Sequence, residues 1–241
     1  ALTGVVREHV LPIHYGIGGN GKGVCADTLL SVLGDYAVQV PVELLMEASG
    51  DRHPTERTTL IGRRLAAASE PAEGSALNVA LVKALTGGDT ISARFMRGDF
   101  FEFNPTHKLW FSTNHRPVIK ETVDAIWRRV LLVPWQVSIP AGEQDHGLKE
   151  RLALEAPGIL RWAVAGCLAW QERGLDPPRS VVLASDAYRA ESDWCGQFLD
   201  ECTVRAPDKH VSSRSLYGVF QAWSLINGLE KRSQTVLGRA L

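Results

Sequence analysis

The sequence lacks most of the features that would take it out of the ordinary globular class. Its four cysteines, Cys25, Cys167, Cys195 and Cys202, form no C-x-x-C pair. That removes the usual spacing of a zinc site and leaves reduced thiols as the reading. No apolar run approaches the roughly 20 residues that a membrane-spanning helix requires, so no membrane partner is expected. No secretory leader is visible, and Ala1 reads as a cut in a longer chain rather than a natural start. Internal repeats and low-complexity tracts are missing. Net charge is also scarce: −1 over 241 residues argues against a generic nucleic-acid coat.

What is present is a balanced chain, 45% hydrophobic and 22% charged, long enough for one full core and a small appendage. The charge is uneven. From Val204 to Leu241 six basic residues (Arg205, Lys209, Arg214, Lys231, Arg232, Arg239) face only Asp208 and Glu230, so this tail is +4 and the remainder −5. The pattern fits an acidic body with a basic contact surface, and it fits a solvated helix face equally well.

Periodicity supplies a coarse map. "EHVLPIHY" (8–15) reads as a strand, and "KGVCADTLLSVLG" (22–34) as a helix stopped by Gly34. "RRLAAASE" (63–70) is a second strand, and a helix is expected from an N-cap at Ser75 to Gly87-Gly88. "ISARFMRGDFFEF" (91–103) reads as a hairpin turning at Arg97-Gly98-Asp99. "HKLWFSTN" (107–114) is a strand, and "DAIWRRVLLVPW" (124–135) a helical turn passing into one. Residues 148–174 read as helical with a break at Pro157, residues 175–180 as a linker, and the remainder as helices. Two domains follow, 1–175 and 176–241.

The stretch "HYGIGGNGKG" (14–23) carries the chemistry. It fits the phosphate-binding pattern Gly-x-x-x-x-Gly-Lys-Ser/Thr at Gly16, Gly21 and Lys22, but Gly23 stands where the hydroxyl should be. Strand, glycine-rich turn and helix are the setting such a loop needs. Backbone N–H groups from Gly16 through Gly18, Gly19, Asn20, Gly21, Lys22, Gly23 and Val24 would wrap an ATP phosphate. Lys22 would reach the β/γ oxygens. Without the hydroxyl, a water would fill one place around Mg²⁺, so weakened metal binding is expected, not lost nucleotide binding. A strand beside the loop's strand should end in an acid that holds Mg²⁺ or the attacking water. Glu70 ends "RRLAAASE" and fills that role as general base or metal ligand, partly through water.

In order along the chain, "GIGGNGKG", residues 62–117 with Lys83, Gly87-Gly88-Asp89 and Ser112-Thr113-Asn114, and "DAIWRRVLLVPW" resemble the superfamily 3 helicases. The resemblance is specifically to the helicase part of phage and plasmid primase–helicases, an AAA+ branch of the P-loop ATPases. The resemblance covers about residues 10–135, with a weaker likeness to a winged helix from "SLYGVFQAW" onward. It implies a P-loop α/β fold with a parallel sheet and flanking helices, plus a small helical, winged-helix-like C-terminal segment whose wing is truncated. It also implies roles. Glu70 resembles the acid of the second ATPase motif, and Asn114 the polar sensor of water or γ-phosphate. Arg128 or Arg129 resembles the finger reaching a neighbour's nucleotide, with Arg129 preferred because it abuts the strand. Lys83, Arg94 and Arg97 are the expected contacts to single-stranded DNA, whereas Phe95 and Phe100 are read as core before base-stacking residues. His115 and Arg116 receive no catalytic role.

The expected activity is ATP- and Mg²⁺-dependent translocation on single-stranded DNA by a homo-oligomeric ring, a hexamer, in phage or plasmid replication. The expected compartment is the cytoplasm of a bacterial host. No primase chemistry is visible, so a primase domain upstream of Ala1 or a primase partner is expected. Two alternatives stay open: a nucleotide-binding DNA-recognition or loading module without unwinding, and a small-molecule P-loop kinase.

Overall fold

The computed structural model describes residues 2–48, 50, 54–121, 124–204, 206–229 and 231–241. Arg205 and Glu230 of the charged tail lie outside the described residues. The first strand, β1 (Leu11–Tyr15), ends where glycine begins, and α1 (Lys22–Leu33) starts where the loop ends. Gly21 supports that start at φ 84°, a left-handed conformation open to glycine at little cost. In chain order there follow β2 (Ala37–Gln39), β3 (Leu65–Ser69), α2 (Val79–Gly87), β4 (Ile91–Arg94), β5 (Phe100–Phe103), β6 (Lys108–Thr113), α3 (Asp124–Trp127) and β7 (Val130–Pro134). The helices α4 (Leu148–Leu154), α5 (Ala156–Arg173), α6 (Arg179–Ser192), α7 (Trp194–Cys202), α8 (Ser213–Ile226) and α9 (Gln234–Ala240) complete it.

Five strands form one parallel sheet in the order β2-β3-β6-β1-β7. Leu65 and the small residues Ala66, Ala67 and Ala68 are buried, as a strand covered on both faces requires, and Ser69 at its end is exposed. Leu11, Ile13, Phe111, Leu132, Val82, Leu85 and Ile126 build the core around it. One expectation is corrected here. Glu70's strand does not lie beside the loop's strand: β6 intervenes, pairing β1 on one side (His14 with Ser112) and β3 on the other (Ser69 with Ser112). Strand neighbours are chosen by crossover topology, which a single strand's sequence does not encode.

Local differences have local reasons. The cap of α2 is Asn78, whose side chain accepts from the Leu81 amide at 3.0 Å, and not Ser75. Residues 76 and 77 are held in isolated bridges to Val118 and Met46, which delays the helix. The break before α5 falls at Glu155, and Pro157 sits inside its first turn, where a missing N–H costs nothing. Helix α6 begins at Arg179, inside the expected linker, and the chain divides into compact units at 1–188 and 189–241. The antiparallel hairpin β4–β5 turns as expected, with Arg97 at φ 60°, but Phe95 and Phe100 are 58% and 63% exposed and are not core. Among the described residues no single helix is long and apolar enough to cross a membrane.

Among its described residues the unit 189–241 forms helices joined by loops, without a wing strand. Trp194, Phe198, Phe220, Trp223 and Leu237 form its core. Asp193, Ser212 and Ser233 cap α7, α8 and α9 by accepting from backbone amides.

Two histidines of the first unit, His14 and His107, are buried and their pKa values are lowered to about 4, first by burial and then by Lys22 and Lys108 respectively. The unfolded chain therefore binds protons that the folded chain refuses, and stability falls as pH drops from 6.5 towards 4. Urea unfolding at pH 7 and pH 5 should differ by about 2 kcal/mol per histidine. His107→Phe should remove roughly half of that difference. An unchanged pH dependence would contradict the burial of a neutral imidazole at this position.

Candidate functional site

The C-terminal ends of β1, β3 and β6 open into a cleft of about 490 Å³. Its floor is the glycine loop: Gly18, Gly19, Asn20, Gly21, Lys22, Gly23 and Val24 all line it. Gly16 sits deeper, where a Cβ would come within 2.2 Å of the Trp135 carbonyl oxygen, so only glycine fits. Asn20 braces the loop from inside, its amide donating to the Ile17 carbonyl at 2.6 Å and the Trp135 carbonyl at 3.4 Å.

Lys22 is the centre of the site. It is only 6% exposed, and its ammonium donates to the Gly16 carbonyl at 2.5 Å, Asn20 Oδ1 at 3.1 Å and Asn114 Oδ1 at 3.1 Å. Asn114 follows directly on β6, the strand hydrogen-bonded to β1, and this adjacency brings two residues 92 positions apart into contact. Burial lowers the Lys22 pKa, and the Glu70 carboxylate opposes that shift. Glu70 lines the same cleft, exposed, with its amide donating to the Ser112 carbonyl at 3.0 Å. It stands at φ 59°, an unfavourable conformation for a side chain of this kind. Lys22, Asn114 and Glu70 therefore line one cleft. Its chemistry suits a polyphosphate: backbone N–H groups, one buried cation, and a carboxylate for a hydrated hard metal ion. Among the described residues no group of three or more His, Cys, Asp or Glu side chains forms a metal cage.

Other expected residues lie elsewhere. Arg128 and Arg129 precede β7, at the opposite end of the sheet from the cleft, since Val130 pairs with Leu11 at the start of β1. Five residues of strand separate the two ends, about 15 Å. Arg129 is 8% exposed and donates to the Ala125 carbonyl at 2.7 Å, whereas Arg128 is exposed. The Lys83 ammonium is paired with Glu121 at 2.6 Å. Arg94 lies over the Phe100 ring at 5.1 Å, and Arg97 occupies the hairpin tip.

Several residues of the site escaped the sequence reading. Gln39, Asp27, Trp110, Ser112 and Lys149 line the cleft. His14 is stacked on Trp110 with ring centroids 3.6 Å apart, and its Nδ1 accepts from Trp135 Nε1 at 3.2 Å. A second cleft of about 720 Å³ opens on the other side of the loop, walled by Tyr15, Ile17, Pro134, Trp135 and Val137, with Arg116 at its side. The Arg116 guanidinium lies 5.0 Å from the Tyr15 ring. Its place two residues after Asn114 was the available signal.

Comparison with known proteins agrees with this geometry. A family described as one of unknown function, DUF5906, matches residues 14–129. Putative helicase 022R of Frog virus 3 (isolate Goorha) is 30% identical over 242 residues, covering 91% of this chain and 25% of that protein. Putative helicase L207/L206 of Acanthamoeba polyphaga mimivirus is 26% identical over 243 residues, covering 92% and 25%. The chain thus spans about a quarter of the length of the curated relatives it matches. Among solved structures, the A-form apo C-terminal region of NrS-1 aligns with a TM-score of 0.55 at 14% identity, over 81% of this chain and 48% of that one. A second apo structure of that region gives 0.54 at 13% identity, over 95% and 61%. The latter likeness is one of fold. By its relatives, its sheet and its motifs, the chain is similar to viral proteins named putative helicases, and the superfamily 3 resemblance is supported at that level.

Proposed function

We propose that the chain is the motor part of an ATP-dependent DNA helicase or translocase. One observation carries this reading: the Lys22 ammonium, at the end of a glycine loop, is hydrogen-bonded to Asn114 in a cleft that also holds Glu70. In this reading the triphosphate takes the oxygens' place around Lys22, and Mg²⁺, when bound, neutralises charge on the β- and γ-phosphates. Glu70 orients the attacking water and receives its proton. Asn114, freed from Lys22, donates to the γ-phosphate or the water without adding charge. The apolar walls of the second cleft suit the nucleobase, which leaves the loop between base and phosphates.

Arg128 is the proposed finger, acting on the cleft of the next subunit, because it is exposed and lies too far from its own. A ring, a hexamer, follows from that logic. The hairpin tip, with Arg97 and the exposed Phe95, Met96 and Phe100, suits a single strand: a cation for phosphate and rings for bases. The exposed Lys209, Arg214 and Arg239 of the C-terminal unit supply a second DNA contact. The setting is replication of a phage or plasmid genome in the host cytoplasm, together with a primase domain or partner.

Magnesium-dependent ATP turnover, measured with and without single-stranded DNA, tests the core of the proposal. DNA-stimulated turnover lost in Lys22→Ala is the expected result. Tight ATP binding without turnover would favour a loading module instead, a reading that the missing hydroxyl at Gly23 makes concrete. Arg128→Ala should keep ATP affinity but slow hydrolysis at least about tenfold, and mixing it with Lys22→Ala subunits should restore part of the activity. No recovery on mixing would remove the finger from Arg128. Arg97→Ala should weaken DNA binding and flatten its salt dependence by about one unit of slope, with basal ATPase kept. An unchanged slope would take the hairpin tip off the strand's path.

A further inference from the structure

Gly23 leaves a gap in the cleft, and a carboxylate stands one helical turn further on. The direction in which a side chain would grow from Gly23 is empty, with nothing within 4 Å. Asp27 lies four residues on in α1, hence on the same helix face one turn later. Helical side chains lean towards the N-terminus, so the Asp27 side chain is directed towards the turn that contains Gly23 without reaching it. Both residues line the phosphate cleft. So does Lys149, whose ammonium donates to Asp27 Oδ2 across 122 residues of sequence.

The pair has the right chemistry and the right strength to be exchanged. Its side chains are 58% and 52% exposed, so solvent screens the ion pair and it separates readily. A carboxylate matches a hydrated magnesium ion, and an ammonium matches a phosphate oxygen. The two halves of the ion pair thus correspond to the two halves of a magnesium–triphosphate. Glu70 offers its carboxylate from the strand side of the cleft and Asp27 from the helix side, so the metal would be bracketed.

We propose that Asp27 stands in for the absent loop hydroxyl, holding the Mg²⁺ of a bound nucleoside triphosphate through one of its waters, while Lys149 leaves Asp27 for a phosphate oxygen. This rests on reading the cleft as a triphosphate site. Direct metal titration separates the two. Mn²⁺ binding is followed by electron paramagnetic resonance on protein loaded with a non-hydrolysable ATP analogue. Affinity for the analogue alone is measured in EDTA. Asp27→Asn should weaken Mn²⁺ about tenfold while leaving metal-free analogue affinity within about twofold. Adding Gly23→Ser to Asp27→Asn should recover most of the loss. Lys149→Met should do the reverse, weakening the metal-free analogue several-fold and sparing Mn²⁺. Wild-type Mn²⁺ affinity in analogue-loaded Asp27→Asn would overturn the proposal. Failure of the unmodified protein to bind the analogue in EDTA would instead overturn the site reading beneath it.

Discussion

The rest of the site depends on how one buried cation is satisfied. The Lys22 ammonium has three oxygen partners, and all three are neutral: a main-chain carbonyl and two side-chain amides. Neutral dipoles solvate a cation less completely than water or a carboxylate does, and burial accordingly lowers the lysine's pKa. An arriving anion meets a cation that is oriented but undercompensated. The partners it displaces are amides and a carbonyl, which can turn to other donors instead of being stranded as buried charges. Direct pairing of Lys22 with a carboxylate would have locked the loop against its ligand. Glu70 acts on it only through the field across the cleft.

Sheet order converts that local arrangement into a division of labour. Because β6 lies between β1 and β3, Asn114 stands next to the loop and Glu70 one strand further out. Lysine, amide and acid are thus laid across the cleft in the order in which phosphate, scissile bond and water would need them. Parallel strands also send all three C-terminal ends to one edge. The residues before β7, Arg128 included, go to the other edge.

What could be read from the sequence was whatever is encoded within a few residues. The loop, α1, the end of β6 and the turn at Arg97-Gly98-Asp99 have such signals, and they fold as expected. Longer-range facts were hidden. Strand β2 has three residues, defined by pairing with β3, and no local pattern announces it. Ser75 and Asn78 are equally good caps by residue type, and distant bridges decided between them. Arg128 and Arg129 are chemically identical neighbours whose difference is burial alone. Phe95 and Phe100 have the composition of a core and the position of a hairpin end. The Asp27–Lys149 pair joins elements too far apart in sequence for any spacing rule.

His14, which lines neither cleft itself, touches one wall residue of each. It is pressed flat against Trp110, which walls one, and accepts a hydrogen bond from Trp135, which walls the other. A rigid imidazole between two indoles works as a strut, and protein interiors transmit such displacements because they are packed without slack. A shift of either indole would therefore press on the other through this ring.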